Sequence, residues 1–140
     1  GLSMGGYGAM KLALTHPERY AAAASLSGAV DLQALCNIDE PARQEFMRFV
    51  FKDKVSEITG SKADLFQLLA DAKANQVDLP ELYACCGRQD FLIEHNRAFV
   101  AKCAELDIPL KYTENAGTHE WGYWDKMIQE VLEWLPGVGA

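Results

Sequence analysis

Short unbroken apolar runs alternate along this chain with longer stretches whose apolar residues recur at helical spacing. That alternation points to a parallel sheet covered by helices, an α/β architecture. Ala21 to Leu26 is one such run, closed by Gly28, and Leu82 to Cys86 is another, closed by Gly87. A strand buried on both faces reads this way, without polar alternation. Good helix formers run from Met4 to His16, and Pro17 stops them. Leu92, Phe99, Val100, Cys103 and Leu106 make one helical stripe, and Trp124, Met127, Ile128, Val131, Leu132 and Leu135 make another before Pro136. Pro109 to Thr113 is expected to be a third strand. Between residues 31 and 79 the alternation lapses, and this segment is expected to be an excursion above the sheet, too small for a core of its own. Within it, Ser61 and Asp64 suggest a capping box for a helix around Leu65 to Leu69. The 140 residues are read as one domain.

Composition removes several function classes. Thirteen basic against 20 acidic residues give a formal charge of −7, the wrong sign for a nucleic-acid partner. No apolar run approaches the ~20 residues of a membrane-spanning helix. The four cysteines, Cys36, Cys85, Cys86 and Cys103, lack metal-ligand spacing. Cys85 and Cys86 are adjacent in a strand and are expected to point to opposite faces as reduced, buried thiols. That favours a reducing compartment and a cytoplasmic location.

The chemistry is concentrated at Gly1-Leu2-Ser3-Met4-Gly5, a G-x-S-x-G sequence that opens directly into a helix. In a nucleophile elbow the serine sits on a strained turn between strand and helix. Flanking glycines are expected because a Cβ would collide with neighbouring backbone, with Gly6, Gly8 and Ala9 lying where the helix nears the sheet. The helix N-terminus and the Met4 backbone amide would face a developing oxyanion. No Gly-Lys-Ser/Thr follows, so a phosphate-binding loop is disfavoured. This scaffold orders its triad as serine, acid, histidine. His16 ends the first helix, and His95, on a helix among Glu94, Asn96 and Arg97, is expected to face solvent. His119 stands in a loop after the third strand, where the base is required. Asp90 follows the strand Leu82–Cys86 by a short turn and is favoured as the acid. Asp31 is its rival, although it is also suited to capping a helix from Leu32, as Asp90 is for the helix beside it.

GLSMGGYGAMKLAL, GRQDFLIEHNRAF and GTHEWGYWDKMIQEVLEWLP resemble the esterase D family, and most closely its bacterial tributyrin-esterase-like and feruloyl or acetyl esterases. S-formylglutathione hydrolases and the antigen 85 mycolyltransferases are more distant. The resemblance implies an α/β-hydrolase fold and a serine carboxylesterase with no metal or organic cofactor, its triad mapping onto Ser3, Asp90 and His119. It implies small acyl groups such as acetyl, butyryl or feruloyl. A thioesterase, an acyltransferase and a non-catalytic scaffold protein are the alternatives. Phe46, Phe49, Phe51 and Trp121 are candidates to line an acyl pocket, though the phenylalanines also suit core packing. The expected partner is a small ester, with neither nucleic acid nor membrane, and a homo-oligomer is compatible with the sequence. The resemblance further implies an N-terminal half of the domain, carrying the first strands and a second oxyanion donor. Residues Gly1 to Ala140 produced alone are therefore expected to hydrolyse p-nitrophenyl acetate at least ~10²-fold more slowly than the full-length protein, for want of that donor. Turnover and solution size of the two proteins, measured side by side, check this.

Overall fold

A computed structural model of the chain describes residues 1–137, so the last three residues of the expected 1–140 domain lie outside the described residues. The elements run α1 (Met4–Thr15), β1 (Ala22–Leu26), α2 (Leu32–Cys36), α3 (Pro41–Phe51), α4 (Leu65–Ala74), β2 (Glu81–Gly87), α5 (Ile93–Glu105), β3 (Lys111–Asn115) and α6 (Trp121–Trp134). Short 3₁₀ turns cover Pro17–Arg19 and Lys52–Glu57. The strands form a parallel sheet in the order β1-β2-β3, with Ala22 opposite Glu81 and Tyr83 opposite Lys111. Among the described residues no helix is long and apolar enough to cross a membrane.

Alternation along β2 sends its side chains into two separate cores. Leu82 and Ala84 join Tyr7, Met10, Leu14, Leu69 and Phe99 from α1, α4 and α5 on one side. Tyr83 and Cys85 join Tyr123, Trp124, Met127 and Val131 of α6 on the other. Cys85 therefore faces α6, the pleat turns its neighbour Cys86 the opposite way, and both are buried free thiols. Each large side chain removed from water here contributes roughly 1.5–3 kcal/mol, which explains why β2 tolerates no polar residue before Gly87 except its exposed first one. Leu32, Leu35, Met47, Ile58 and Leu65 drain into the α1 side of the core, so the segment after β1 shares that core.

Three local expectations are corrected. The third strand spans Lys111–Asn115, two residues beyond the expected Pro109–Thr113, because Pro109 has no N–H for the ladder. α4 is capped by Asp64 itself, whose carboxylate accepts from Phe66 N–H at 2.9 Å, so the capping box does not form. Ser61 instead accepts from Ala63 N–H and donates to Ile58 O. Finally, of the small residues in α1, Gly6 meets the sheet: a Cβ there would lie 2.5 Å from Ser25 Oγ and 2.9 Å from the Gly28 Cα. Gly8 has nothing within 4 Å of its Cβ position.

The two glycines consequently respond in opposite directions. Gly6→Ala is expected to destabilise the fold by about 1–3 kcal/mol, because α1 must move off β1. Gly8→Ala is expected to stabilise it by about 0.5–1 kcal/mol, since alanine restricts the unfolded chain more than glycine does. Urea unfolding of both variants measures the difference.

Candidate active site

Gly1 to Ser3 run parallel to the carboxyl end of β1, with a bridge between Leu2 and Leu26. Leu26 N–H donates to Gly1 O at 2.9 Å, and Ser3 N–H donates to Leu26 O at 3.0 Å. The chain then reverses into α1 through Ser3, whose φ of 53° and ψ of −125° lie where few L-residues rest. Three amides hold it there. Gly6, Tyr7 and Ala29 N–H all donate to Ser3 O, at 3.0, 3.3 and 3.1 Å. The glycine expectation is met at one flank only. A Cβ on Gly1 would run into the Gly5 carbonyl, whereas Gly5 has open space at its own Cβ position. Crowding at the elbow is thus one-sided, the first glycine packing on the backbone of the fifth residue. The Met4 and Gly5 amides, first in α1, have no acceptor among the described residues.

Two loops at the same end of the sheet are tied together. Gln89 N–H donates to Gly117 O at 3.0 Å, and Gly117 N–H donates to Gln89 Oε1 at 2.9 Å. Gly87 is needed at this crossing, since a Cβ on it would strike the Gly117 carbonyl. The tie joins the β2–α5 loop that carries Asp90 to the β3–α6 loop that carries His119. Asp90 Oδ2 lies 2.8 Å from His119 Nδ1, and Ser3 Oγ lies 2.9 Å from His119 Nε2. An ionised carboxylate only accepts, so Nδ1 carries the ring proton and Nε2 is left to accept from Ser3 O–H. The other carboxylate oxygen, Oδ1, accepts from Leu92 N–H at 2.8 Å. The rival Asp31 is engaged elsewhere, capping α2 by accepting from Ala34 N–H at 3.0 Å.

Burial by itself would raise the Asp90 carboxyl, whose side chain is fully buried. Hydrogen bonds from His119 and Leu92 N–H, with the charge of the imidazole, outweigh it and hold the group below its ordinary value. Phe91 and Trp124 enclose the imidazole edge-on, at 4.8 and 4.9 Å between ring centres. Trp121 is 74% exposed and rests on Trp124, 5.3 Å away. Arg43 of α3 sits 4.6 Å above the Phe91 ring. Phe46 and Phe49 are exposed on α3, while Phe51 packs against the core. Sequence reasoning passed over Phe91, Trp124 and Ser27. Phe91 had only its place beside Asp90 to mark it, and Trp124 reads as one more core position of α6. A cavity of about 1070 Å³ lies elsewhere: Leu79, Pro80, Pro109, Lys111 and Trp134 line it at the amino ends of β2 and β3. Its charged lining residues include Asp78, Glu81 and Lys111, but among the described residues it holds no serine, cysteine or histidine. Among the described residues no group of three or more His, Cys, Asp or Glu side chains stands where it would hold a metal ion.

A serine on a strained strand–helix turn, facing a histidine and a buried aspartate at the carboxyl ends of parallel strands, is the arrangement of an α/β-hydrolase. The Esterase family model matches residues 1–135, and the chain belongs to that family. It is 32% identical over 143 residues to the acetyl esterase of Caldicellulosiruptor saccharolyticus, covering 99% of this chain and 53% of that protein. Two Staphylococcus aureus structures are similar. One is an S-formylglutathione hydrolase (TM-score 0.83, 32% identity, 96% of this chain and 52% of that one). The other is a fluorophosphonate-binding serine hydrolase (0.81, 31%, 96% and 51%). A ferulic acid esterase shares the fold at 21% identity, with a TM-score of 0.70 over 94% of this chain and 46% of that one. The chain spans about half the length of these relatives.

His95 departs from the solvent-facing position expected of it. It is half-buried, and its Nδ1 is buried without a partner. Burial lowers its pKa from the ordinary 6.5; Asp31 and Asp90 pull it up, and Arg43 pushes it down. Because the unfolded chain takes up this proton first, folding stability falls as pH drops from 6.5 towards the folded value, and not beyond it. His95→Gln is expected to lose less stability than the wild type across that interval. Urea unfolding of the two proteins at a series of pH values isolates the difference.

Proposed function

We propose that this chain carries the catalytic residues of a serine carboxylesterase, with Ser3 as nucleophile, His119 as general base and Asp90 as the acid that orients the base. The observation that carries the reading is the unbroken relay from Ser3 Oγ through His119 to Asp90, with contacts of 2.9 and 2.8 Å, behind a serine held at positive φ. His119 Nε2 takes the Ser3 proton as Oγ attacks the ester carbonyl, and Asp90 stabilises the imidazolium. The Met4 amide, free at the start of α1, donates to the oxyanion as the carbonyl π bond becomes a lone pair on oxygen. Collapse expels the alkoxide, which leaves as alcohol with the proton from His119. Water, deprotonated in turn by His119, then attacks the acyl-enzyme and releases acid and free Ser3.

For substrate we propose short acyl groups, acetyl first, in line with the acetyl esterase resemblance. Butyryl and feruloyl are the wider range. Phe91 and the exposed Trp121 offer apolar surface beside His119 for the ester to lie on. A second reading is favoured by the 32% identity to an S-formylglutathione hydrolase, namely that the leaving group is a thiol rather than an alcohol. The same relay serves both, and rates on an acetyl ester and on that thioester separate them. Free buried cysteines agree with a cytoplasmic location, and no partner beyond the ester, with or without self-association, enters the proposal.

In the full-length protein, Ser3→Ala is expected to lower turnover of p-nitrophenyl acetate by at least ~10³, and His119→Ala by a similar factor. The double variant should lose little more, because the two residues act as one unit; losses that multiply would remove the relay. Asp90→Asn is expected to cost up to ~10⁴ through the wrong imidazole tautomer. Asp31→Asn should leave turnover near wild type while weakening the α2 cap. A fluorophosphonate probe should label the wild type and not Ser3→Ala.

A further inference from the structure

The buried loop after β1 braces the relay from beneath. Ala29 N–H donates to the carbonyl of Ser3 at 3.1 Å. Trp124, whose ring edge meets His119, donates its indole N–H to Ser27 Oγ at 3.1 Å. Between these two residues lies Gly28. A Cβ on it would strike Ser25 Oγ, and its Cα lies 2.9 Å from where a Cβ on Gly6 would be. Gly6 in turn donates its N–H to Ser3 O. In packing this close, a displacement of Gly28 is passed to the first turn of α1 and to the serine presented there.

The Gly28 carbonyl accepts from Asn96 Nδ2 of α5 at 3.0 Å, across 68 positions of chain. The same Nδ2 donates to Leu92 O, also at 3.0 Å, and Leu92 N–H donates to Asp90 Oδ1 at 2.8 Å. One amide, 1% exposed, thus reaches from the loop that braces Ser3 to the residue that anchors Asp90. Its orientation follows from counting donors: only the NH₂ end has protons, and turning the amide over would set its oxygen against two carbonyl oxygens. Asn96 Oδ1 is buried with no protein partner among the described residues. Packing alone is therefore a poor reason for an asparagine here, since leucine would fill similar space without a polar atom to bury. Leu92 O gives no reason either, because the Asn96 backbone N–H already donates to it at 3.0 Å. What the side chain alone supplies is the link to Gly28.

We propose that Asn96 is a positioning residue of this site: its side-chain amide clamps the loop that braces Ser3 to the turn that holds Asp90, and so sets the gap that His119 bridges. The inference rests on the reading of Ser3, His119 and Asp90 as the hydrolytic relay. That relay needs two contacts made at once by one rigid ring, 2.9 Å to Ser3 and 2.8 Å to Asp90. When the supports of serine and carboxylate drift apart, the imidazole keeps one contact only by stretching the other. Apolar packing among α1, α4 and α5 resists their separation, but it is indifferent to direction. A hydrogen bond with a fixed carbonyl at each end adds the direction that packing lacks.

The test uses the full-length protein with Asn96→Leu, Asn96→Ala and, as a stability control, Ile58→Val. The readouts are p-nitrophenyl acetate turnover, urea unfolding, and proton NMR of the low-field His119 Nδ1–H resonance. Leucine fills the space of the amide without a donor. Alanine leaves room for water at the Gly28 carbonyl, which satisfies that oxygen without holding it in place. Both Asn96 variants, assayed where urea unfolding shows them folded, are expected to lose about 10-fold in kcat, with KM changed by less than about twofold, the scale of one buried hydrogen bond. Their low-field resonance should move from its wild-type position. Ile58→Val trims the α1-side core outside the relay, and it should unfold in less urea yet keep wild-type kcat and resonance. Asn96 variants that behave like Ile58→Val, less stable but with kcat and resonance unchanged, would make Asn96 a structural residue only and overturn the proposal. Should leucine prevent folding, Asn96→Ala decides by the same readouts; failure of both to fold would assign Asn96 to the fold and overturn the proposal too. A wild type that fails to react with a fluorophosphonate sinks the hydrolase reading itself, whereas a reactive wild type with unaffected Asn96 variants sinks this inference alone.

Discussion

Everything at this site depends on a backbone held where a serine does not rest unaided. Ser3 is at φ 53°, and its carbonyl collects three N–H donors while its own N–H is anchored to the end of β1. Strain of that kind, of order 1–3 kcal/mol, persists only where the surroundings over-determine it. Here the surroundings are the first turn of α1, the loop after β1 and the strand edge at Leu26. The result is a hydroxyl lifted clear of the main chain at the start of a helix, with unpartnered amides beside it. The same tightness explains Gly1 and Gly6, where a methyl group would meet backbone or a buried side chain.

The second constraint is the pairing of two loops. Gln89 and Gly117 exchange hydrogen bonds, and the close pass of Gly87 and Gly117 fixes how near the loops come. Asp90 then meets His119 at 2.8 Å without reaching across solvent. Its carboxylate also accepts from the N–H of Leu92, the residue just before α5, so one side chain both braces the turn into the helix and faces the imidazole. Burial opposes ionisation of this group, and its hydrogen bonds win. The balance keeps an acceptor-only oxygen against Nδ1, which in turn leaves Nε2 free for the serine.

Much of this was legible in the residues because the relevant signals are local. A short unbroken apolar run such as Leu82–Cys86, closed by a glycine, reads as a doubly covered strand, and G-x-S-x-G running into a helix names its own turn. Three histidines in the chain, one of them in a loop between the last strand and the last helix, made His119 easy to single out. What stayed hidden depends on neighbours distant in the chain. The burial of His95, and the influence of Asp31, Arg43 and Asp90 on its charge, arise from the fold, which its own polar neighbours in sequence do not disclose. Trp124 shows a helical period that marks it for the core, and nothing in that period tells of the hydroxyl at its indole nitrogen. The shift of β3 to Lys111–Asn115 was readable from Pro109, yet Leu110 and the apolar pattern drew the expectation two residues early.

Ser3 and His119 are 116 positions apart, and Asp90 and His119 are 29 apart. The reactive group is therefore a property of topology, not of any local peptide. Contacts of such span close late and open early, since loop-closure entropy must be met before they contribute. On the proposed reading, a chain still emerging from synthesis, or one whose last helix has come away, exposes an ordinary serine that no base activates. On that reading, chemical competence would double as a proofreading mark: only molecules that have completed the sheet and laid α6 across it would carry an activated serine.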